Sequence, residues 1–331
     1  MVFAEWKLPP DVDNTVQNMN STDSIYPPGT FGPDGIVIRS PYYEYLVTKG
    51  VAYTFVVLFA TTTFIHAAQA IHFRMWWLLP TAVLAGIGET IGWSGRLWSS
   101  YAPLVQNPYL IQIVATIIAP TPFVGAIFVI FSSVTQKLGI QYSRLSPRWY
   151  SRIFLTADII ALVVQGAGGG IAGTANTDAD TSLGANVMLG GIVFQLVSLM
   201  IFTGVAIEYH YRYIHDLPIR EPDRFGRREW GRRMKIFTGA LVFTLSCLLI
   251  RSVYRTAELA DGWNGVIIDT EVYFDVFDAA MVVLAMLSMN LVHPGYWLKT
   301  AAEENDTQEP ILLARKHGNA SSTLDVLTYR V

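Results

Sequence analysis

The sequence predicts an all-α, polytopic membrane protein: a bundle of seven transmembrane helices with its amino terminus outside and its carboxyl terminus in the cytoplasm. Three observations predict this fold. Hydrophobic residues make up 52% of the 331 residues and charged residues only 15%, which is far from the composition of an ordinary soluble domain. Apolar runs of about twenty residues, each long enough to cross roughly 30 Å of hydrocarbon, recur along most of the chain. Lysine and arginine are concentrated in alternate connecting loops.

The spans follow from the apolar runs. The seven predicted segments cover approximately residues 47–70, 76–97, 109–134, 153–173, 185–208, 236–257 and 272–292. None shows the two-residue alternation of a membrane β-barrel, so a helical bundle is favoured. Pro120 and Pro122 are expected to kink the third span, because proline removes a helical hydrogen bond and its ring clashes with the preceding turn.

The distribution of basic residues predicts the orientation and the domain organisation. With the amino terminus outside, most of the 23 lysines and arginines fall in cytoplasmic segments, and the loops at 174–184 and 259–270 contain none. Residues 1–46 then form a polar extracellular tail, in which Asn20 begins an Asn-Ser-Thr acceptor for glycosylation. Residues 47–298 form the membrane domain, and the polar residues 299–331 form a cytoplasmic tail that is expected to be disordered.

Composition also excludes several functional classes. The formal net charge of −3 suggests no polyelectrolyte partner such as nucleic acid. The single cysteine, Cys247, excludes an intrachain disulfide, and the six histidines show neither the HxxxH nor the HExxH spacing of a zinc hydrolase. We therefore expect no metal, no cofactor and no enzymatic activity. The sequence contains no Walker motif, so any transport is expected to be facilitated, proton-linked or driven by a lipid gradient.

Two predicted spans carry charges where apolar residues are expected. The sixth span has a stripe with i, i+4, i+7 spacing: Arg251, Arg255 and Glu258. The seventh span has a second stripe with the same spacing: Glu271, Asp275 and Asp278. The spacing predicts that the stripes face each other, with Arg251 and Asp278 at one depth, about 9 Å below the helix ends. Ionisable groups at that depth are costly unless they pair or line a wet cavity, so the pattern indicates either a functional site or a structural clamp between the helices.

A third charged position lies on the second span. Its glycine-rich face carries Glu89 and Arg96, seven residues apart, and helix rise places Glu89 roughly 10 Å below the outer surface, level with the two stripes. The sequence therefore predicts a three-helix polar cluster facing the outer leaflet. The alternative is a tight helix contact, made possible by the small residues and capped by an internal ion pair.

Further polar residues lie within the other predicted spans. Asp158 and Gln165 share one face of the fourth span, and Gln112 lies in the third. An isolated acid in the membrane suits a proton-linked step, whereas a hydrogen bond to a neighbouring helix is the structural alternative. Gln112 is interpreted as an interhelical hydrogen-bonding residue.

Seven segments together resemble the fungal lipid-translocating exporter family. They occur in order at residues 88–96, 112–120, 147–158, 165–170, 251–258, 271–278 and 293–295. Members of this family are linked to aminocholesterol resistance and to the release of sphingoid bases. The resemblance implies a seven-span plasma-membrane protein that moves or senses amphipathic lipids and lipophilic toxins, and it does not bring a settled transport mechanism.

The sequence thus favours a lipid-handling exporter whose partners are membrane lipids and an amphipathic substrate. We expect a hydrated cavity toward the outer leaflet in which acidic groups attract a cationic amine, such as that of a long-chain base, while apolar walls accept its tail. One alternative is a seven-span receptor that binds lipid outside and signals through the basic loop at 208–235. Another is a regulator of membrane stress tolerance that transports nothing.

Overall fold

The computed structural model describes residues 30–31, 36–174, 177–221, 231–262 and 265–297. Within these residues the regular secondary structure is helical, apart from an isolated antiparallel bridge between Phe31 and Val37. Asn20 and the tail at 299–331 lie outside the described residues, so their predicted glycosylation and disorder stay predictions.

Nine α-helices account for most of the described chain. They are α1 Lys49–His72, α2 Leu84–Ser99, α3 Gln106–Ile118, α4 Pro120–Leu138, α5 Pro147–Gly173, α6 Asp178–Ile214, α7 Arg232–Asp261, α8 Glu271–Phe274 and α9 Met281–Leu291. Shorter turns complete the segments: Trp76–Leu78 is a 3-10 turn and Leu79–Val83 a π turn before α2, Ile140–Tyr142 is a 3-10 turn after α4, and Asp275–Ala280 is a π turn that joins α8 to α9.

Six helical segments in the described chain are long and apolar enough to cross a membrane. They are Lys49–His72, Gln106–Leu138, Pro147–Gly173, Ala179–Ile214, Arg232–Asp261 and Glu271–Trp297. The helical character and the membrane class predicted from the sequence are therefore confirmed. The remaining predicted span, at 76–97, is helical from Trp76 to Ser99, but its α-helical part has only 16 residues, about 24 Å, so the seventh span stays a prediction.

Proline and glycine mark helix boundaries in the way their backbones require. The third predicted span divides into α3 and α4 at Ala119, immediately before Pro120, as expected for a residue that cannot complete the helical hydrogen-bond pattern. Gly262 follows the last residue of α7 with a φ of +88°, a left-handed conformation that favours glycine over residues with a Cβ atom.

The helices form a closed ring in which consecutive segments are neighbours. α1 packs on α2, α2 on α3, α4 on α5, α5 on α6, α6 on α7 and α7 on α9, and α9 returns to α1. Thr48 and Ser99 lie at one end of this ring together with Glu271, and we call it the Glu271 end. The opposite end, where Phe73 stacks on His293 with ring centroids 4.9 Å apart, is called the His293 end.

Glycines allow α2 to approach α3 closely, which is the tight helix contact that the sequence offered as an alternative. A Cβ atom built on Gly92 would lie 2.8 Å from Thr116 Cγ2, and one on Gly88 would lie 2.8 Å from Ala119 Cβ. Such separations are shorter than van der Waals contact, so only glycine permits this helix spacing. A glycine also allows α5 to pack closely on α6, because a Cβ atom on Gly168 would lie 2.5 Å from the backbone nitrogen of Met188.

The segment before α1 packs over the Glu271 end. Tyr43 is buried and its ring meets that of Tyr109 edge to face, with centroids 5.0 Å apart. Its hydroxyl lies 3.3 Å from Ser99 Oγ, and Ser40 donates a hydrogen bond to the carbonyl of Pro103 at 2.9 Å. These residues belong to the tail predicted at 1–46, so the described part of that tail contacts the membrane domain.

Candidate functional site

The centre of the site is Asp278, a fully buried aspartate that two arginines of α7 share. Arg255 binds it in a bidentate manner, with Nε 3.0 Å from Oδ1 and Nη2 2.8 Å from Oδ2. Arg251 Nε lies 2.9 Å from Oδ1. The contact between Arg251 and Asp278 confirms the pairing that their common depth predicted. Bidentate guanidinium–carboxylate pairs are the strongest arrangement of this kind, because both charges and both donors are matched.

Other polar groups complete the coordination of the two arginines. Arg255 Nη1 lies 2.7 Å from Glu258 Oε2, and Tyr254 donates a hydrogen bond of 2.9 Å to Glu258 Oε1. Thr116 of α3 contributes twice: its hydroxyl accepts from Arg255 Nη2 at 2.9 Å and its carbonyl accepts from Arg251 Nη2 at 2.6 Å. The carbonyl is available to a side chain because the helix is interrupted one turn later, before Pro120. We call Asp278, Arg251, Arg255, Glu258 and Thr116 the inner cluster.

A second group of charges lies nearer the Glu271 end and centres on Arg96 of α2. Arg96 Nη2 lies 3.2 Å from Glu271 Oε1 and 3.7 Å from Asp275 Oδ1, and it donates a hydrogen bond of 3.0 Å to the hydroxyl of Tyr45. Glu271 also accepts hydrogen bonds from the backbone nitrogen and the hydroxyl of Thr48, at 2.9 and 2.7 Å. We call Arg96, Glu271, Asp275, Tyr45 and Thr48 the outer cluster.

Aromatic rings enclose the Arg96 guanidinium. Its Cζ lies 4.7 Å from the ring centroid of Phe274 and between 5.4 and 5.6 Å from those of Tyr43, Tyr45 and Trp93. Burial raises the pKa of Tyr43 to about 12 and also raises that of Tyr45, although the charge of Arg96 opposes both shifts. Both phenols are therefore neutral at physiological pH, and they surround the cation with π faces and hydroxyl dipoles.

Glu89 is the unpaired acid of the site. It is buried on α2, and neither of its carboxyl oxygens has a hydrogen-bond partner within the described residues. It lies within electrostatic range of Arg251, Arg255 and Asp278, so it borders the inner cluster as its depth predicted. Arg96, seven residues further along α2, pairs with Glu271 and Asp275 instead, so the internal ion pair of Glu89 with Arg96 that the sequence allowed is not formed.

The structure corrects the prediction that the two charged stripes face each other as units. Only Asp278 pairs with the α7 arginines, whereas Glu271 and Asp275 pair with Arg96 of α2. The π turn that begins at Asp275 is the physical reason, because its wider turns change the direction of each side chain relative to a regular α-helix. Asp275 and Asp278, three residues apart, consequently point to two different neighbouring helices.

The remaining predicted polar residues lie in other parts of the bundle. Asp158 is buried on α5, and neither of its carboxyl oxygens has a hydrogen-bond partner within the described chain. Gln165 donates to Gln195 on α6 at 3.0 Å, and Gln195 donates to Thr121 on α4 at the same distance. Gln165 therefore makes the interhelical bond expected of such a residue. Gln112 is buried on α3, and a Cβ atom on Gly95 of α2 would lie 3.2 Å from its backbone nitrogen.

Several site residues were not identified from the sequence. Thr116 is a hydroxyl in an apolar run, Tyr45 lies in the polar segment before the first predicted span, and Thr48 lies at the start of that span. No spacing pattern marks them, because each meets its partner only through tertiary packing, from a position far away in the sequence. Within the described residues, no group of three or more histidine, cysteine, aspartate or glutamate side chains could hold a metal ion.

The fold and the site together define a class: a polytopic helical membrane protein whose interior holds networked ion pairs from α2, α7 and the last span. Within that class, the chain belongs to the RTA1 like protein family, whose model matches residues 82–301. This membership confirms the family resemblance that the sequence motifs indicated.

Relatives in Saccharomyces cerevisiae are similar over most of the chain. The sphingoid long-chain base transporter RSB1 is 31% identical over 273 residues, which cover 74% of this chain and 71% of the relative. Protoporphyrin uptake protein 1 is 26% identical over 284 residues, covering 75% of this chain and 90% of the relative. The protein RTM1 is 27% identical over 204 residues, covering 61% and 62%. No solved structure matches the chain.

Proposed function

We propose that the chain is a plasma-membrane exporter that translocates amphipathic lipids, with sphingoid long-chain bases as the leading substrate class. Related lipophilic and toxic compounds are the wider class, so the protein contributes to resistance against them. The observation that carries the proposal is an excess of negative charge in the site: its ion pairs join the three arginines Arg96, Arg251 and Arg255 to four carboxylates, those of Glu258, Glu271, Asp275 and Asp278. Such an excess favours a cationic substrate.

The outer cluster is the better candidate for binding the amine. The Glu271 and Asp275 side chains are 16% and 13% exposed, whereas that of Asp278 is 1% exposed. Asp275 Oδ1 is buried 3.7 Å from Arg96 Nη2 and has no hydrogen-bond partner within the described residues, so it has acceptor capacity for an ammonium group that enters the outer cluster beside Arg96. Asp278 has both oxygens engaged by arginines and is assigned a structural role.

The name of the relative RSB1 supports this substrate class, since a sphingoid long-chain base carries one amine and one long apolar chain. The amine requires a carboxylate in a partly desolvated setting, which Asp275 and Glu271 supply. The apolar chain requires hydrocarbon-like surroundings, which the lipid-facing side chains Val272 and Val276, next to the two acids, supply.

Translocation of a fluorescent long-chain base by the purified protein in liposomes tests the proposal. The parent should move the base faster than empty liposomes do, and Asp275→Asn should lose most of this activity because the free acceptor loses its charge. Asp180→Asn is the matched control, since Asp180 is exposed on α6 at the same end of the bundle and lies outside both clusters. No translocation by the parent, with binding of the base retained, would favour the receptor.

We further propose that Trp76–Ser99 forms the seventh span and that the Glu271 end faces outward. The loops at the His293 end carry the dense basic residues, and the positive-inside tendency places such loops in the cytoplasm. A tag at the carboxyl terminus should then resist added protease in sealed right-side-out vesicles and be cleaved after the vesicles are permeabilised. Cleavage in sealed vesicles would contradict this orientation.

A further inference from the structure

A groove on the lipid-facing side of α1 and α2 is independent of the two charge clusters. It has a volume of about 660 Å³, which lies in the range of small-molecule sites, and it is open along one side. Its walls include Ala60, Phe64 and Ala67 of α1, and Ile87, Ile91 and Trp98 of α2. From Val83, the residue before α2, to Trp98 this wall extends over roughly 22 Å. That length exceeds the roughly 15 Å of hydrocarbon in one leaflet.

The groove presents an apolar surface even where its walls carry hydroxyl groups. Thr63 donates to the carbonyl of Phe59 at 2.6 Å, Thr90 to that of Gly86 at 2.7 Å, and Ser94 to that of Thr90 at 2.6 Å. Each hydroxyl therefore bonds to the preceding turn of its own helix and offers no donor to a ligand. An occupant of this groove must be held by its hydrocarbon surface.

Polar and cationic groups lie beyond the Trp98 end of the groove and are not part of its lining: the backbone nitrogen of Tyr101 donates to the carbonyl of Trp98 at 3.0 Å. Tyr53 and Tyr101 form a hydrogen bond of 2.9 Å between their hydroxyls, and both rings are about half exposed. Lys49, one helical turn before Tyr53, places Nζ 4.3 Å from the Tyr101 ring centroid. Lys49 is exposed and makes no ion pair with any described carboxylate, so its charge is available to an anion.

We propose that this groove binds one acyl chain of a phosphate-bearing membrane lipid, whose phosphate group contacts Lys49. A hydrocarbon chain matches the apolar walls, and an anionic headgroup matches the lysine at the level where tyrosine and tryptophan side chains meet the membrane surface. A free long-chain base fits this end poorly, because its ammonium group would meet a like charge. The groove is thus a lipid site distinct from the amine site proposed at Asp275.

Native mass spectrometry of the purified full chain tests the site with two probes of matched chains, phosphatidylglycerol and diacylglycerol. The parent should retain one phosphatidylglycerol with about a fivefold preference over diacylglycerol, the effect of one lysine at a membrane surface. Lys49→Gln should lose that preference and keep the weaker retention of both lipids. A preference that survives Lys49→Gln would overturn the assignment of the phosphate contact.

Filling the groove should remove retention of both probes. Ala60→Trp narrows it from α1 and Ser94→Phe from α2, and both positions are exposed, so the fold should tolerate them. Val163→Trp, at a lipid-facing position 67% exposed on α5, is the control that should retain lipid like the parent. Parent-like retention by both groove variants, with unchanged melting temperatures, would overturn the site. The outcome is separable from the proposed transport function, which these variants should leave intact.

Discussion

The inner and outer clusters use the same residue types and lie within three residues of each other on the last span, yet their physical states differ. Asp278 is completely buried, and both of its oxygens are engaged by arginines. The Asp275 side chain is 13% exposed, and its Oδ1 is buried 3.7 Å from Arg96 Nη2 without a hydrogen-bond partner in the described part of the chain. A satisfied, buried ion pair resists change, whereas an incompletely satisfied acid near the surface can exchange partners. Charged residues in a membrane domain can therefore differ in burial and in hydrogen bonding even when they are three residues apart.

The largest expected effect is on stability, and it is found by making the same Asp→Asn substitution separately in each cluster. Asp278→Asn leaves two buried arginines without their shared carboxylate and should destabilise the protein by about 3–5 kcal/mol, the cost of breaking a buried pair. Asp275→Asn should cost less, because Arg96 keeps its ion pair with Glu271 and its hydrogen bond to Tyr45. Thermal unfolding in detergent measures both. Equal losses of stability would remove the distinction between the clusters.

An intermediate effect is expected where helix packing supports the inner cluster. Gly92→Ala places a methyl group 2.8 Å from Thr116 Cγ2, and Thr116 binds both α7 arginines. Overpacking should cost about 1–3 kcal/mol and outweigh the roughly 1 kcal/mol that alanine gains in helix propensity. Gly190→Ala on α6, where the added Cβ meets no atom within 4 Å, should stabilise instead. Melting temperatures that move in the same direction for both variants would contradict the close contact of α2 with α3.

The smallest effect on stability is expected at Glu89, which borders the inner cluster without a hydrogen bond. Glu89→Gln replaces a buried carboxyl group with a neutral amide of similar shape, so the melting temperature should stay unchanged or rise. The same variant in the liposome assay asks whether this acid takes part in transport. A large loss of stability would show that Glu89 has a structural partner and belongs with Asp278.

The sequence predicted more of the fold than of the site. Apolar runs located the helices, and the glycine-rich face of α2 allowed a tight helix contact, which Gly88 and Gly92 make with α3. Equal depth predicted the meeting of Arg251 with Asp278. These predictions succeed because length, apolarity and helix rise are properties of one segment, and they are readable from spacing alone.

The site required information that no single segment contains. The choice of Arg96 as the partner of Asp275, the double role of Thr116 and the isolation of Glu89 each depend on how helices are rotated against one another. The π turn at Asp275–Ala280 adds a local change of direction that regular spacing does not predict.

The sequence by itself determined that the chain forms apolar helices that carry charged side chains within them, because the hydrophobic effect and helix geometry act on local composition. Only the tertiary structure decided which charges pair, and it did so through the ring order of the helices, the glycine-mediated approach of α2 to α3 and the π turn in the last span. Burial makes any unpaired charge costly, but only three-dimensional packing selects the partner that offsets the cost.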